Sequence, residues 1–259
     1  MAFIEKERQG VRYLVSTLLD CPHAFSTRLG GVSTLPHLQS MNLGENRGDD
    51  PENVKENLRR FCDACRLPPR VSLARQIHSD LVLYQREPSP VLPECDGFYT
   101  DRQGISLMVK IADCIPILLY APDVPAVAAL HAGWRGSAAG IAKKGVASLR
   151  ALGADPKRIR AAIGAGICKE CYRVGKELPE LFVNTLGSEV FAFFKEADEQ
   201  GFFADLKGIN RHLLLQCGLQ EELVDLCPRC SCHESALFFS HRASKGLRGT
   251  MGAAIALPF

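Results

Sequence analysis

The chain has little net charge and few histidines for its length. Its 31 basic and 29 acidic side chains in 259 residues leave a formal charge of +2. A groove that follows nucleic-acid phosphates usually needs a clear basic excess on one face, so this balance gives no support for a nucleic-acid partner. The 7 histidines include no His-x-His pair. This scarcity argues against the histidine-rich clusters of a multicopper oxidase.

The sequence also lacks the apolar segments that export proteins or anchor them in membranes. Its first residues, MAFIEKERQG, do not show the basic-then-apolar order of a signal peptide. Lys110, Asp113 and Asp123 interrupt the best candidate for a membrane span. Neither a GxxxxGK[ST] loop nor a G-x-G-x-x-G turn opening a helix is present. We therefore expect a soluble, cytoplasmic protein without a membrane partner.

Cysteine, by contrast, is abundant: the chain has 11. Without a secretion signal, they are better interpreted as reduced thiols or metal ligands than as disulfides. Three Cys-x-x-Cys pairs occur, and Cys232-His233 follows the last: Cys62/Cys65, Cys168/Cys171 and Cys227/Cys230. The first pair is expected to pack on the apolar face of a helix. The later pairs raise the hypothesis of a structural zinc ribbon in a binding module, although the gap from Cys171 to Cys227 exceeds usual ribbon spacing.

Strands and helices alternate in the middle of the chain, and strand-rich segments flank them. Helices are predicted at DDPENVKENLRRFCDACRLPP, SAAGIAKKGVASLRALGADP, Lys176–Leu186 and Leu206–Cys217. VSLARQIHSDLVLYQ is predicted as a strand that can bend near Ser79-Asp80, ISLMVKIADCIPILLY as one strand or two, and the C-terminal SALFFSHRASKGLRGTMGAAIAL as a hairpin. This mixture favours an α+β fold of mixed sheets flanked by helices, with three-layer α/β as the alternative. We expect one domain over residues 1–259.

Three reactive residues lie far apart in the chain: His78 in RQIHSD, Cys114 in IADCIP and His131 in LHAGWRG. Their separations are too long for a local zinc knuckle, but they suit ligands on three different strands or strand ends that meet in the fold. Two imidazoles and one thiolate leave a fourth tetrahedral position for water or substrate, as in catalytic zinc sites. The competing interpretation is a small buried cysteine and hydrogen-bonded histidines. Asp113, beside Cys114, is a candidate acid.

Two glycine-rich turns are candidates for substrate contact. HAGWRGSAAG is predicted to pass from a strand into a helix near Ser137, where free N–H groups and the forked donor of Arg135 favour an anion beside Gly136. TRLGGVS followed by MNLG forms a similar turn that could aim Arg28 and Asn42 into a cleft. Each segment is also compatible with a plain loop and solvated side chains.

Taken together, TRLGGVS, NLG, QIHSD, DGFYTD, ADCIPILLY, HAGWRG, YRVG and FFSHR resemble the YfiH family over nearly the whole chain. This family has carried the names laccase-like multicopper polyphenol oxidoreductase and purine nucleoside phosphorylase. The resemblance implies zinc held by His78, Cys114 and His131. It also implies an α+β fold akin to the cysteine-hydrolase domain of cytotoxic necrotizing factor. Arg28 matches the arginine of the family's TR-GG motif, and Asn42 matches the asparagine of its NLG motif.

The resemblance further implies a nucleoside and phosphate as substrates: phosphorolysis of adenosine, inosine and methylthioadenosine, and hydrolytic deamination of adenosine. The expected catalytic residues are Cys114, Arg28 and Asp113, and the expected substrate contacts are Arg28, Asn42, Arg135, Gly136 and Arg242. Copper is the alternative metal. A metal-free Cys–His hydrolase or amidase acting on cell-wall precursors is the alternative enzyme. The chain departs from the family where Ala165 follows Gly164 and where Ala243-Ser244 follow Arg242.

Overall fold

The computed structural model describes residues 3–258, and over that range the chain forms fifteen strands and five α-helices. Met1, Ala2 and Phe259 belong to the expected domain but lie outside the described residues. The strands are β1 (Phe3–Arg8), β2 (Val11–Ser16), β3 (His23–Ser26), β4 (Val71–Ser72), β5 (Val82–Tyr84), β6 (Gly97–Thr100), β7 (Ser106–Ile111), β8 (Ile115–Ala121), β9 (Ala126–Ala132), β10 (Arg160–Ile163), β11 (Arg173–Gly175), β12 (Phe194–Asp198), β13 (Gly201–Ala204), β14 (Val224–Leu226) and β15 (Met251–Ala256). The helices are α1 (Pro51–Cys65), α2 (Trp134–Ala138), α3 (Ile141–Ala151), α4 (Glu177–Leu186) and α5 (Leu206–Gln216).

Two six-stranded sheets form the centre of the molecule. The first has the order β1-β2-β3-β15-β7-β4, and the second has the order β14-β10-β8-β9-β6-β5. Both are mixed, because β4 pairs with β7, β5 with β6, and β10 with β14 in parallel, while the other neighbours are antiparallel. A smaller sheet contains β11, β13 and β12. The expected α+β class with mixed sheets is therefore confirmed.

Side-chain alternation along the central strands produces a core on each face of the second sheet. On β9, Val127 and Ala129 pack towards the first sheet, whereas Leu130 packs against the helices. On the outer face of the first sheet, Phe61 of α1 closes a further core. The layers are therefore helix, sheet, sheet and helix, rather than the three layers of the alternative prediction. His131 has the same parity as Val127, so its side chain emerges between the two sheets.

The helix predictions for α1, α4 and α5 are confirmed. Asp50 caps α1 by accepting the Glu52 N–H at 2.9 Å. The helix predicted from Ser137 onward differs, because Gly140 has φ of +81° and divides it into α2 and α3. Ser137 lies inside α2, where its hydroxyl accepts the Asn210 amide at 2.8 Å rather than capping the helix. Among residues 3–258, no helix is both long and apolar enough to cross a bilayer.

Two strand predictions are wrong. VSLARQIHSDLVLYQ forms β4 and β5, which belong to different sheets, and His78 lies in the irregular segment between them. The C-terminal segment forms turns and then β15 instead of a hairpin. Cys114 lies in a short bend between β7 and β8. His78 and Cys114 therefore both lie on crossovers from the first sheet to the second.

Candidate metal centre

His78, Cys114 and His131 converge at one end of the two sheets, and we call this group the open site. One ligand atom from each residue lies within 4.8 Å of the others. The two imidazole rings meet edge to face, with centroids 4.9 Å apart. His131 is buried, Cys114 is half-buried and His78 is exposed. The group therefore has one side closed by the core and one side open to solvent.

The buried carboxylate of Asp96 positions both histidines. Its Oδ1 lies 2.7 Å from His131 Nδ1 and accepts the His78 N–H at 3.0 Å. Its Oδ2 accepts the N–H of Ile77 at 3.2 Å, and the N–H and hydroxyl of Ser79 at 2.6 and 2.8 Å. Asp96 thus satisfies donors that an irregular segment would otherwise leave unpaired. This explains why residues 77–79 leave the strand ladder and why His78 holds φ of +60°.

A bend at Asp113 orients Cys114 towards the histidines. Asp113 has φ of +86°, which a residue other than glycine adopts only at a cost. Its carboxylate accepts the Ser231 hydroxyl at 2.6 Å and the Arg242 N–H at 2.6 Å. Its carbonyl accepts the Ile167 N–H at 2.8 Å. Because both carboxylate oxygens are used in this network, Asp113 supports the bend that carries Cys114.

Gly133 leaves room for the open site. A Cβ at this position would lie 2.8 Å from His78 Nδ1 and 3.2 Å from Cys114 Sγ. A Cβ at Gly136 would lie 2.7 Å from the Ser79 carbonyl oxygen. The glycines of the HAGWRG motif are therefore required by close approach of the His78 segment rather than by an unusual backbone angle.

Interactions among Cys114, His131 and Asp96 shift the pKa values of all three groups. Burial raises the pKa of Cys114, but the charge of His131 and hydrogen bonds with both histidines outweigh burial and lower it to about 6. Burial lowers the pKa of His131, but Cys114 and Asp96 outweigh it and raise the pKa to about 9. Burial raises the pKa of Asp96, yet hydrogen bonds from His131 and Ser79 lower it to about 2. In metal-free protein these shifts describe a thiolate beside an imidazolium that a carboxylate holds in place.

This donor set fits a tetrahedral metal ion. Two imidazoles and one thiolate are ligands that zinc and copper both accept, and they leave one coordination position open. The carboxylate of Asp96 engages Nδ1 of His131 and leaves Nε2 free for a metal. Such a partner fixes the tautomer and ring orientation of a metal-binding histidine.

The open site faces a cavity of about 580 Å³ with basic walls. Its lining includes His78, Cys114 and His131, together with Arg47, Arg75, Lys110 and Arg248. One carboxylate, that of Glu45, also lines it and lies 3.5 Å from the Lys110 ammonium, whereas Arg75 pairs with Glu94. The Nε of Arg248 is buried without a hydrogen-bond partner in the described part of the chain. Burial and the charge of Arg47 lower the pKa of Arg248 to about 10. An anion between these guanidinium groups would satisfy the unpaired donor and reduce their repulsion.

Arg28 and Asn42 lie outside the described lining of this cavity. Arg28 lies over the ring of Phe239, 4.6 Å from its centroid, and donates to three carbonyl oxygens. It lines a smaller cavity of about 260 Å³ that shares Arg248 with the larger one. Asn42 is fully buried, and its side chain bonds to the backbone of Gly44 and Thr250. Asn42 therefore shapes the loop that lines the large cavity.

The other expected substrate contacts also lie outside that lining. Arg135 is exposed and stacks on Trp134 at 4.1 Å. Gly136 is buried within α2 against the Ser79 carbonyl. The guanidinium of Arg242 donates to the carbonyl oxygens of Cys171 and Arg173 at 2.9 and 3.1 Å. The expected metal ligands are thus brought together, whereas the expected substrate contacts are dispersed around them.

Sequence reasoning missed Asp96 and the basic side chains of the cavity. Asp96 begins the DGFYTD motif, and an acidic residue before glycine in a turn-rich segment does not by itself indicate a metal site. Arg47, Lys110 and Arg248 come from separate segments, so no spacing connects them. The one available signal is the need of a metal-binding histidine for a carboxylate or carbonyl partner.

Comparison with known proteins gives a consistent family assignment. Residues 22–258 match the family described as Multi-copper polyphenol oxidoreductase laccase. Purine nucleoside phosphorylase of Deinococcus radiodurans is 36% identical over 250 residues, covering 96% of this chain and 94% of that protein. Purine nucleoside phosphorylase YfiH of Escherichia coli is 34% identical over 220 residues, covering 85% of this chain and 87% of that protein. The crystal structure of YlmD from Geobacillus stearothermophilus has a TM-score of 0.91 and 31% identity, covering 98% of each chain.

Proposed function

Because the chain belongs to the family described as Multi-copper polyphenol oxidoreductase laccase and is similar to proteins named purine nucleoside phosphorylase, we propose that it is a zinc-dependent purine nucleoside phosphorylase. The proposed substrates are phosphate with adenosine, inosine or methylthioadenosine, and the proposed second activity is hydrolytic deamination of adenosine. The observation that carries the proposal is the open site at a cavity with four basic side chains. Because all eleven cysteines are free, we also propose a reducing, cytoplasmic location.

The open site is the proposed zinc site. His78, Cys114 and His131 would be the ligands, and Asp96 would hold the ring of His131 through Nδ1. When bound there, zinc supplies Lewis acidity to an oxygen atom of the substrate or of water. Gly133 keeps the space between the ligands free of a side chain.

The basic cavity wall is the proposed phosphate site. Arg47 and Arg248 provide forked N–H donors on this cavity. Lys110 would add a point charge when phosphate takes the place of the Glu45 carboxylate, which lies 3.5 Å from its ammonium. In phosphorolysis, a phosphate oxygen forms a bond to the sugar C1′ while the bond from C1′ to the purine nitrogen breaks. The purine leaves with the electron pair and takes up a proton. These side chains would hold the phosphate near C1′ and neutralise its charge.

The residues expected from sequence take more specific roles in this proposal. Arg28 would contact a part of the substrate that reaches the smaller cavity, because that cavity shares Arg248 with the phosphate site. Asn42 would act by positioning the Gly44 loop, and Asp113 by positioning Cys114. Arg242, which donates its N–H to Asp113, would also be a positioning residue. Arg135 and Gly136 would act through the packing of α2 on the His78 segment.

A direct test is to incubate zinc-loaded protein with adenosine, with and without phosphate. We expect adenine and ribose 1-phosphate only when phosphate is present, and inosine from the proposed deamination. His78→Ala should lose both activities, while His212→Ala, at a histidine on α5, should retain them. Absence of phosphate-dependent purine release from folded protein with a metal-occupied open site would contradict the proposal.

A metal-free cysteine hydrolase or amidase acting on cell-wall precursors is the second candidate. It is favoured by the lowered pKa of Cys114, in which the charge of His131 outweighs burial, and by the buried Asp96 partner of that histidine. Cysteine, histidine and a carboxylate in this order form a nucleophile, base and orienting group. This candidate would also account for the proposed relation to the cysteine-hydrolase domain of cytotoxic necrotizing factor. It predicts activity in chelator-treated protein and inactivation by alkylation of Cys114.

A polyphenol oxidase would require copper in the same place. One copper at the open site can exchange only one electron at a time, whereas reduction of oxygen to water needs four. Substrate oxidation by copper-loaded protein, at a rate above that of free copper, would be needed to favour this function over phosphorolysis.

A further inference from the structure

A second group of metal-ligating side chains lies apart from the basic cavity, and we call it the closed site. It contains Cys168, Cys171, Cys230 and His233, with one ligand atom from each within 4.8 Å of the others. Cys168 Sγ lies 3.6 Å from His233 Nδ1. The residues come from two local pairs, one Cys-x-x-Cys and one Cys-x-x-His, which are short spacings typical of structural zinc sites.

The two pairs are brought together by an extension of the parallel β10–β14 pairing. Cys227 donates its N–H to the Ile163 carbonyl at 2.9 Å, and Ser231 donates to the Gly166 carbonyl at 3.1 Å. Gly166 and Cys230 form an isolated parallel bridge. The backbone therefore sets the register of the two segments, and the four ligand side chains emerge where that register ends.

Backbone donors around Cys230 suit a thiolate ligand. Its Sγ accepts the Cys168 N–H at 3.3 Å and the His233 N–H at 3.5 Å. Donation of N–H groups to a ligating sulfur orients it and stabilises its negative charge. The ammonium of Lys207 donates to the carbonyl oxygens of Cys227 and Arg229, at 2.9 and 2.6 Å, and holds the preceding loop.

From this geometry we propose that Cys168, Cys171, Cys230 and His233 bind a structural zinc ion. Three thiolates and one imidazole complete a tetrahedral set, so no position remains for substrate. The membership differs from the ribbon considered from sequence, because Cys230 and His233 form the second pair and Cys227 lies outside the group. Zinc binding here is independent of the proposed phosphorolysis and is tested without an activity assay.

The closed site is connected to the open site through Asp113. Ser231 follows the ligand Cys230, and its hydroxyl donates to Asp113 at 2.6 Å. Arg242 donates to the carbonyl oxygen of the ligand Cys171 and, through its backbone N–H, to Asp113. A metal at the closed site therefore holds two groups that fix the bend before Cys114.

The test is metal content by mass spectrometry in protein purified under reducing conditions without chelator. Wild type should hold two zinc equivalents, one for each group, and Cys114→Ala should hold one. Cys230→Ser should lose the closed-site equivalent, and Cys114→Ala/Cys230→Ser should hold none. Cys217→Ser, at a half-buried cysteine outside both groups, is the matched control and should retain two.

Cys114→Ala also allows a measurement that leaves every closed-site ligand in place. X-ray absorption of its zinc should show three sulfur ligands at about 2.3 Å and one nitrogen ligand at about 2.0 Å. This spectrum would support the proposal even if Cys230→Ser fails to fold. Metal-free Cys114→Ala, zinc with oxygen-dominated coordination, or a Cys168–Cys171 disulfide in freshly reduced protein would overturn it.

Discussion

The open and closed sites use the same two ligand types in opposite ways. The open site takes one thiolate and two imidazoles from three distant segments, and it faces a basic cavity. The closed site takes three thiolates and one imidazole from two short local pairs. The carboxylate of Asp96 positions the histidines of the open site. Strand register and backbone N–H donors position the ligands of the closed site. If the two proposals hold, ligand number and surroundings, rather than ligand type, separate a site suited to reaction from one suited to stability.

The largest effect should come from removing a ligand of the open site. We expect His131→Ala to lose the open-site metal and to lower phosphorolysis by at least about a thousandfold, because metal catalysis contributes several kcal/mol. Its closed-site zinc should remain, so that metal content falls from two equivalents to one. Retention of both metals and of activity would remove the distinction between the two sites.

The two sites should also differ in thiol reactivity after metal removal. Burial raises the pKa of Cys114, but the charge of His131 and hydrogen bonds outweigh it and lower the pKa to about 6. Burial and the hydrogen bond with Cys230 raise the pKa of Cys168 to about 11. At pH 7 we therefore expect iodoacetamide to label Cys114 at least about tenfold faster than Cys168, measured by peptide mass spectrometry. Cys114 labelling should decline only below about pH 6, and His131→Gln should remove the difference.

Asp96→Asn tests the carboxylate that positions both histidines of the open site. The amide can accept some of the same hydrogen bonds, but it lacks the charge that Asp96 places beside His131. We expect a 10- to 100-fold loss of affinity at the open site, which is the usual effect of altering an outer partner of a metal ligand. Competition with a chromophoric chelator measures it. Asp101→Asn, at an exposed carboxylate that accepts the Tyr84 hydroxyl, should leave the affinity unchanged.

The same carboxylate should give metal-free protein a specific acid sensitivity. Burial raises the pKa of Asp96, but hydrogen bonds from His131 and Ser79 lower it to about 2, below the ordinary value of about 3.9. Its contribution to stability is therefore present above about pH 4 and is lost as the pH falls through 2. Between about pH 4 and about pH 2, the free energy of unfolding measured with urea should decrease less for Asp96→Asn than for wild type. Equal decreases would show that Asp96 is not preferentially stabilised as an anion.

The smallest effect should come from the cavity wall. We expect Arg248→Gln to raise KM for phosphate about tenfold, equivalent to about 1.4 kcal/mol, with little change in kcat. The reason is the loss of a forked donor and of the buried, unpaired Nε. Arg59→Gln, at an exposed arginine paired with Glu56, is the control. An unchanged KM would place phosphate elsewhere in the cavity.

The sequence was sufficient for the local features of the fold. The apolar spacing and Asp50 cap predict α1, and the family motifs select the three residues of the open site. The sequence was insufficient where a side chain distant in the chain binds backbone groups that would otherwise pair with a neighbouring strand. The strand predicted through His78 fails because Asp96, 18 residues away, binds the backbone donors that a ladder would otherwise use. No local pattern contains that interaction.

The closed site also shows where prediction from local sequence spacing stops. The Cys-x-x-Cys spacing identified Cys168 and Cys171 as possible ligands, but the second pair was read as Cys227 and Cys230. The parallel bridge between Gly166 and Cys230 sets the register and brings His233 into the group instead. Spacing shows which residues can be neighbours, whereas strand register decides which of them meet.

The two crossovers that carry His78 and Cys114 relate metal binding to the order in which the strands assemble. His78 lies between β4 and β5, and Cys114 lies between β7 and β8, so each is tethered to one strand of either sheet. Within the second sheet, however, Pro116 pairs with His131 across β8 and β9, and Asp96 binds the backbone N–H groups of both His78 and His131. Assembly of that sheet therefore brings the three ligands together, and during refolding ion uptake at this end of the molecule should accompany the pairing of β8 with β9 rather than await the final burial of the intersheet core.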